Sequence, residues 1–164
     1  MPHRDDHAWF TDDVAVHLDA VYRYFVRRAP RTDADDLCAE VFATAWRRRA
    51  DVPRGGELPW LYRTAGFVLA NHRRRAHGMP LRAVDEPDAS GSDHADRVAD
   101  RDRLARALAA LGERDREILL LHAWDGLDGT ELGEALGVSR SGAQAALSRA
   151  RARLREIWRL QDIG

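Results

Sequence analysis

Residues 131–154 read ELGEALGVSRSGAQAALSRARARL, and this stretch decides the fold. Two helical patterns meet at Gly137-Val138-Ser139. Asp128 is placed to cap a short first helix ending at Leu136, Gly137 supplies the left-handed residue of a tight turn, and Ser139 caps a second helix. Ala143, Leu147, Ala150, Leu154 and Ile157 recur at helical spacing as the inward stripe of that helix. The sum is a helix-turn-helix, whose second helix can enter the DNA major groove. Its outer side carries Arg140, Ser141, Gln144, Ser148 and Arg149, with Arg151 and Arg155 farther along. Arginine and glutamine read guanine and adenine edges, while hydroxyls and further arginines hold phosphates. Gly142, Ala145 and Ala146 leave the same helix bare, and a plain hairpin with a solvated arginine face would show the same charges.

Upstream, Leu104, Leu108 and Leu111 mark another helix, which breaks at Gly112, and the pattern returns in residues 113–121. Before that, from Gly78 to about Asp96, periodicity gives way to Pro, Gly, Ser and acid, the composition of a linker. Three more helical segments precede it. Phe10, Val14, Leu18, Val21 and Phe25 predict a long amphipathic helix from Trp9 to Arg28, stopped by Pro30. Thr32 or Asp33 can cap the next, where Leu37, Cys38, Val41, Phe42 and Ala45 run toward Trp46 and three arginines. After a Pro/Gly-rich loop, Pro59 suits a first helical position, and Leu61, Ala65, Val68 and His72 define a buried side. No convincing strand is found. The expected fold is all-α: a bundle over 1–78, an acidic linker over 79–98 and a helix-turn-helix domain over 99–164.

The helix opening at Pro59 interleaves rings with basic groups, and Tyr62, Arg63, Phe67, Asn71 and Arg74 fall on its predicted outer side. Unpaired bases stack on aromatic rings while arginines neutralise the backbone, so this helix suits single-stranded or opening DNA. Trp60 reads as core. The acids of residues 33–40 suggest a metal or phosphoacceptor site, but a receiver-type site needs a parallel sheet, and capping with N-terminal charge is their simplest use. Asp36 and Glu40, one turn apart, can instead dock an arginine-rich partner helix.

Composition narrows the class. All 26 basic residues are arginine, which suits phosphate and base contacts but follows equally from a coding bias. The formal net charge of -1 conceals a basic end, because residues 137–164 carry 6 arginines and 2 acids. No apolar run approaches a membrane span, and the N-terminal residues lack the pattern of a signal peptide, so the chain is expected in the cytoplasm. A single cysteine, Cys38, cannot close an internal disulfide and reads as a small buried residue. No histidine falls in a metal-binding pair, and no nucleophile motif or phosphate loop appears. No cofactor, metal or catalytic residue is expected, and the chain is not read as an enzyme.

Taken together, the two halves resemble the sigma-70 family of bacterial transcription initiation factors, of the short extracytoplasmic-function type that keeps only regions two and four. The residues that carry this are residues 21–25, Asp33 to Leu37, Phe42, Trp46, Trp60 to Arg63, Ala65 and Arg73-Arg74. In the second half they are Leu111 to Leu121, Trp124 to Leu127, Glu131-Leu132, Leu136 to Ser139 and Leu147 to Arg151. The resemblance implies that the Asp33–Arg49 helix docks on core RNA polymerase through Asp36, Leu37, Glu40, Val41 and Arg47. It implies that Tyr62, Arg63, Phe67, Asn71, Arg73 and Arg74 meet the minus-ten element. Arg140, Ser141, Gln144, Ser148, Arg149 and Arg151 would meet the minus-thirty-five element, and an anti-sigma protein is a further implied partner.

Three departures bear on this. Ala39 stands where the family usually has Gln, Gly66-Phe67 where it often has Arg-Asn, and Gly142, Ala145 and Ala146 where it often places Thr and polar or basic residues. Lost base contacts of this kind predict relaxed minus-thirty-five specificity, at about 1–3 kcal/mol of discrimination per bidentate contact. Two other readings stay open at this point: a stand-alone DNA-binding regulator whose N-terminal bundle senses a ligand or dimerises, and an interaction protein that kept the fold without promoter use.

Overall fold

The computed structural model describes residues 4–76 and 94–162, with the backbone alone at Arg4 and at 94–96. The described residues are helical throughout, with no strand among them: α1 (Arg4–Trp9), α2 (Leu18–Val26), α3 (Arg31–Arg47), α4 (Glu57–Arg75), α5 (His94–Ala110), α6 (Glu113–Ala123), α7 (Gly129–Leu136) and α8 (Arg140–Gln161). Most of the acidic stretch read as a linker lies outside the described residues. Its last part does not: α5 begins at His94, inside the expected linker.

The first predicted helix is interrupted. Between α1 and α2 the chain widens into a π turn at Phe10–Val14 and tightens at Ala15–His17. This offset buries Val14 completely and turns Phe10 edge-on to Phe42 and Trp46, at 6.5 and 5.3 Å between ring centroids. A straight helix could not serve both α3 and the core under α2 with one stripe, and a π turn is the usual device for such a shift.

Two predicted helix starts also move. The side chains of Thr32 and Asp33 cap nothing; α3 opens at Arg31 behind Pro30, whose carbonyl takes the Asp33 N–H at 2.9 Å. The Asp33 carboxylate pairs with His72 of α4 at 3.2 Å instead. Helix α4 starts at Glu57, two residues before Pro59. Glu57 is buried, and its Oε1 accepts from Trp9 Nε1 and from the Gly55 N–H, both at 3.0 Å. Burial works against the charge, yet these hydrogen bonds prevail and hold the carboxyl below the ordinary glutamate value.

The C-terminal unit is assembled around α8. Helix α5 ends against α6, where the Arg116 guanidinium donates to the carbonyls of Leu108, Ala109 and Leu111 at 2.8 to 3.1 Å. Carbonyls at a helix end lack the full set of intrahelical donors; Leu108 keeps the Leu111 N–H at 3.2 Å as a second partner. The far end of α5 is tied to α8 by Arg103, which lies 3.9 Å from the Trp158 ring centroid and donates to the Trp158 carbonyl. The α7–α8 turn follows its sequence: Gly137 is left-handed at φ 69°, and Ser139 Oγ accepts the Gly142 N–H at 3.0 Å. Asp128 sits at the cap position of α7 without a side-chain cap bond. In α6, Ile118, Leu119, Leu120 and Leu121 are all buried, as a helix requires when it is covered on more than one side. One of those sides faces the first unit.

Candidate nucleic-acid interface

Helix α8 presents three strips. Ala143, Leu147 and Ala150 are buried. On one flank Gln144, Ser148, Arg151 and Arg155 line a shallow depression with Asp128 and Gly129. The Arg140 guanidinium lies against the same Gly129, where an added Cβ would sit 3.6 Å from Nε. The other flank differs in kind: Gly142, Ala146 and Arg149 border a groove of about 710 Å³ floored by Ile118, Leu136 and Val138. Ser141 and Ala145 stand exposed between the flanks.

The expected set is therefore divided. Arg140, Gln144, Ser148 and Arg151 share a face, Ser141 is adjacent, and Arg149 turns to the groove, roughly 140° round the helix from Gln144. Of the three residues read as missing DNA contacts, only Ala145 stands on the exposed crest; Gly142 and Ala146 are groove wall. Sequence reading missed His122. Its Nε2 lies 2.7 Å from Arg151 Nη2 and its Nδ1 2.9 Å from the Leu127 carbonyl, a pairing that holds Arg151 in place.

On α4, Phe67 is the most exposed large ring of the first unit, at 62%. Arg63, Arg74 and Arg75 are exposed as well, with Asn71 half-buried and paired with Arg74. Tyr62 is not on the outer side. It is 4% exposed, with its ring 5.7 Å from that of Tyr24, because its face of α4 is turned to the second unit. Arg73 is also directed there: it donates to Glu113 at 2.8 Å and to the Arg28 carbonyl at 3.4 Å.

Helix α3 keeps Asp36 and Arg47 exposed and Glu40 half-buried, but Leu37 and Val41 are enclosed in the bundle. As core residues they position the outer face and cannot themselves be contacts. Cys38 is buried beside them, and burial together with the nearby Asp35 carboxylate pushes its thiol up to about 11. The Trp46 ring, half-buried, is bracketed by His7, Phe10 and the Arg49 guanidinium.

The two units meet along a line that sequence reading did not anticipate. Arg28 Nε donates to Glu117 at 3.0 Å and its Nη2 to Asp125 at 2.9 Å, while Arg27 reaches the other Asp125 oxygen at 3.1 Å. The Tyr24 hydroxyl donates to Glu117 at 3.1 Å. The side chains of Arg28 and Asp125 are 2% and 1% exposed. Burial pushes the Asp125 carboxyl up against the pull of Arg28 and Arg27, and burial with the adjacent Glu117 charge holds the Tyr24 phenol protonated. Closure also sets α4 beside α7, with Arg63 against Gly137, where a Cβ would lie 3.0 Å from Nη2. Among the described residues no helix is long and apolar enough to cross a membrane.

Comparison with known proteins adds the family. The Sigma-70 region 2 model matches residues 14–78 and the Sigma-70, region 4 model matches 101–154. The chain is 36% identical over 161 residues to an RNA polymerase sigma-E factor of Streptomyces avermitilis, covering 94% of this chain and 87% of that one. It is 30% identical over 162 residues to the ECF RNA polymerase sigma factor SigF of Caulobacter vibrioides, covering 96% and 89%. Another relative is much longer, and the chain spans 33% of it. Among solved structures, the sigma factor RpoE of Bartonella quintana, crystallised with the anti-sigma factor NepR, shares the fold with a TM-score of 0.66 over 92% of this chain and 96% of that one, at 19% identity. With both regions present in order and relatives matched over nearly their whole length, the chain belongs to the sigma-70 family of RNA polymerase sigma factors, in its extracytoplasmic-function group.

Proposed function

We propose that this protein is an alternative sigma factor: a non-enzymatic, dissociable subunit that binds core RNA polymerase in the cytoplasm and directs promoter recognition and strand opening. Residues 1–78 serve as region two and 99–164 as region four, with α5 reaching back to His94 into the linker expected over 79–98. The outer face of α3, with Asp36, Glu40 and Arg47, docks on the polymerase. Arg63, Phe67, Asn71 and Arg74 engage the minus-ten strand, and Arg140, Ser141, Gln144, Ser148 and Arg151 engage the minus-thirty-five duplex.

The observation that carries this reading is the pairing, in one chain, of an arginine-rich α4 with Phe67 on its surface and a capped helix-turn-helix. Modest affinities at two tethered sites combine on one polymerase, so neither helix need be a strong reader alone. The matches to both regions leave the stand-alone regulator without support. An anti-sigma factor, such as accompanies the Bartonella protein, is a candidate regulator. The test is gel filtration with purified core polymerase followed by transcription on a genomic library. Co-elution and start sites sharing two upstream elements are expected; failure to bind core at micromolar concentration would overturn the proposal.

A further inference from the structure

The ion pairs between the two units, among the described residues, are segregated by sign. Arg27, Arg28 and Arg73 belong to the first unit, and Glu113, Glu117 and Asp125 to the second. Arg28 is organised from within its own unit: Nη1 donates to the Tyr24 carbonyl at 3.1 Å, and the guanidinium carbon stands 3.7 Å from the Tyr24 ring centroid. This leaves the Nε and Nη2 edge directed outward, the fork that fits a carboxylate or phosphate equally well. Arg73 is held at the same place through the Arg28 carbonyl, and Tyr62 closes the side next to Tyr24. The arginine site is thus built by the first unit, and only its anions are supplied by the second.

We propose that Arg27, Arg28 and Arg73, flanked by Tyr24 and Tyr62, form a binding site for the DNA backbone, and that Glu113, Glu117 and Asp125 occupy it in the closed chain in place of phosphates. The inference rests on reading α4 as the minus-ten helix, since the site adjoins the buried face of that helix. Closure also brings Arg63 of α4 against the turn of the helix-turn-helix at Gly137, while Phe67 and the outer face of α8 stay exposed. Opening exchanges one set of anions for another. The seam is part apolar, since α4 also packs along α7, but its buried ion pairs come near to balancing their own desolvation, so exchanging their anions for phosphates carries a small net cost.

The test compares full-length variants for radius of gyration by X-ray scattering and for affinity to a fluorescein-labelled duplex carrying an oligo-dT bubble. E117Q/D125N removes the internal anions, and D12N/D13N, at exposed positions of the first unit, changes the charge equally. E117Q/D125N is expected to be larger than wild type and to bind the bubble roughly tenfold more tightly than D12N/D13N, the penalty lifted from a chain open about one tenth of the time. Adding R28Q should abolish that gain; should R28Q lose helicity, R73Q carries the same arm. The site is overturned if the double variant stays compact, if it expands and binds no better than the control, or if the gain survives loss of the arginine. Run-off transcription by the wild-type chain with purified core separates the two readings: no starts refutes the sigma assignment itself, whereas normal starts with flat bubble affinities refutes the anion site alone.

Discussion

Replacing Gly133 by alanine tests the helix-turn-helix packing through the sign of its effect. Gly133 lies inside α7, where helix propensity alone favours alanine by about 0.5–1 kcal/mol. The structure opposes this. A Cβ there would stand 2.9 Å from the Val138 carbonyl oxygen and 3.2 Å from both the Ser139 carbonyl carbon and the Arg140 nitrogen, all backbone atoms of the turn into α8. No side chain can give way, so the turn must shift, and overpacking of this kind costs about 1–3 kcal/mol. The net is a loss of about 1–2 kcal/mol, or a fall in Tm of roughly 2–8 °C for a chain of this size. Gly66→Ala is the paired measurement: it is also inside a helix, but its Cβ would meet only the Tyr24 hydroxyl at an ordinary 3.8 Å. That variant should gain about 0.5–1 kcal/mol. Thermal melts followed by circular dichroism decide the matter. A Gly133→Ala protein as stable as wild type, or more so, refutes the packing of the turn.

Three other outcomes are expected. Because Glu57 is held below its ordinary pKa, its charge stabilises the fold above that value, and the contribution is lost as pH falls through the folded pKa. The advantage of wild type over Glu57→Gln in urea unfolding should therefore shrink between roughly pH 7 and pH 3, and a difference constant across that range would contradict it. Asp125→Ala removes the partner of two arginines from a site 1% exposed and should open the chain, raising its radius of gyration, at a cost no larger than the roughly 1.3 kcal/mol that a nine-to-one closed population is worth; Asp51→Ala, at an exposed pair with Arg48, should leave the radius unchanged, and equal scattering radii would show that the buried pair holds nothing. Finally, Ala145→Arg should raise affinity for duplex DNA and steepen its salt dependence, while Ala146→Arg, on the groove wall, should not. Equal titrations for the two variants would remove Ala145 from the DNA face.

The sequence made the helices legible because their stripes are local. Gly137 and Ser139 could be read as turn and cap from residue type alone, and both perform those roles. What periodicity reports is which side of a helix is apolar, and it is silent on what covers that side. The resemblance gives Leu37 and Val41 to a partner, whereas α3 buries them in its own bundle, as their place on the apolar stripe implies. Tyr62 misled for a different reason: a phenol suits either water or a buried polar seam. Asp33 and Glu57 were hidden by distance, since a cap bond is local but their partners are His72 and Trp9. The same applies with greater force to the seam between the units, where Arg28 and Glu117 lie 89 positions apart.

That separation has a consequence in time. Arg28 is synthesised 89 residues before Glu117, and Arg27 precedes Asp125 by 98. At about 5–20 residues per second, roughly 4–20 s pass on the ribosome between an arginine and the carboxylate that answers it. Helix α4 is complete only at Arg75, 42 residues before Glu117, so α2, α3 and α4 exist together without that cover for roughly 2–8 s of the interval, with their arginine face open among the nucleic acids of the cell. The newborn first half is a cationic surface without a guard, and its anionic cover arrives only when translation reaches α6.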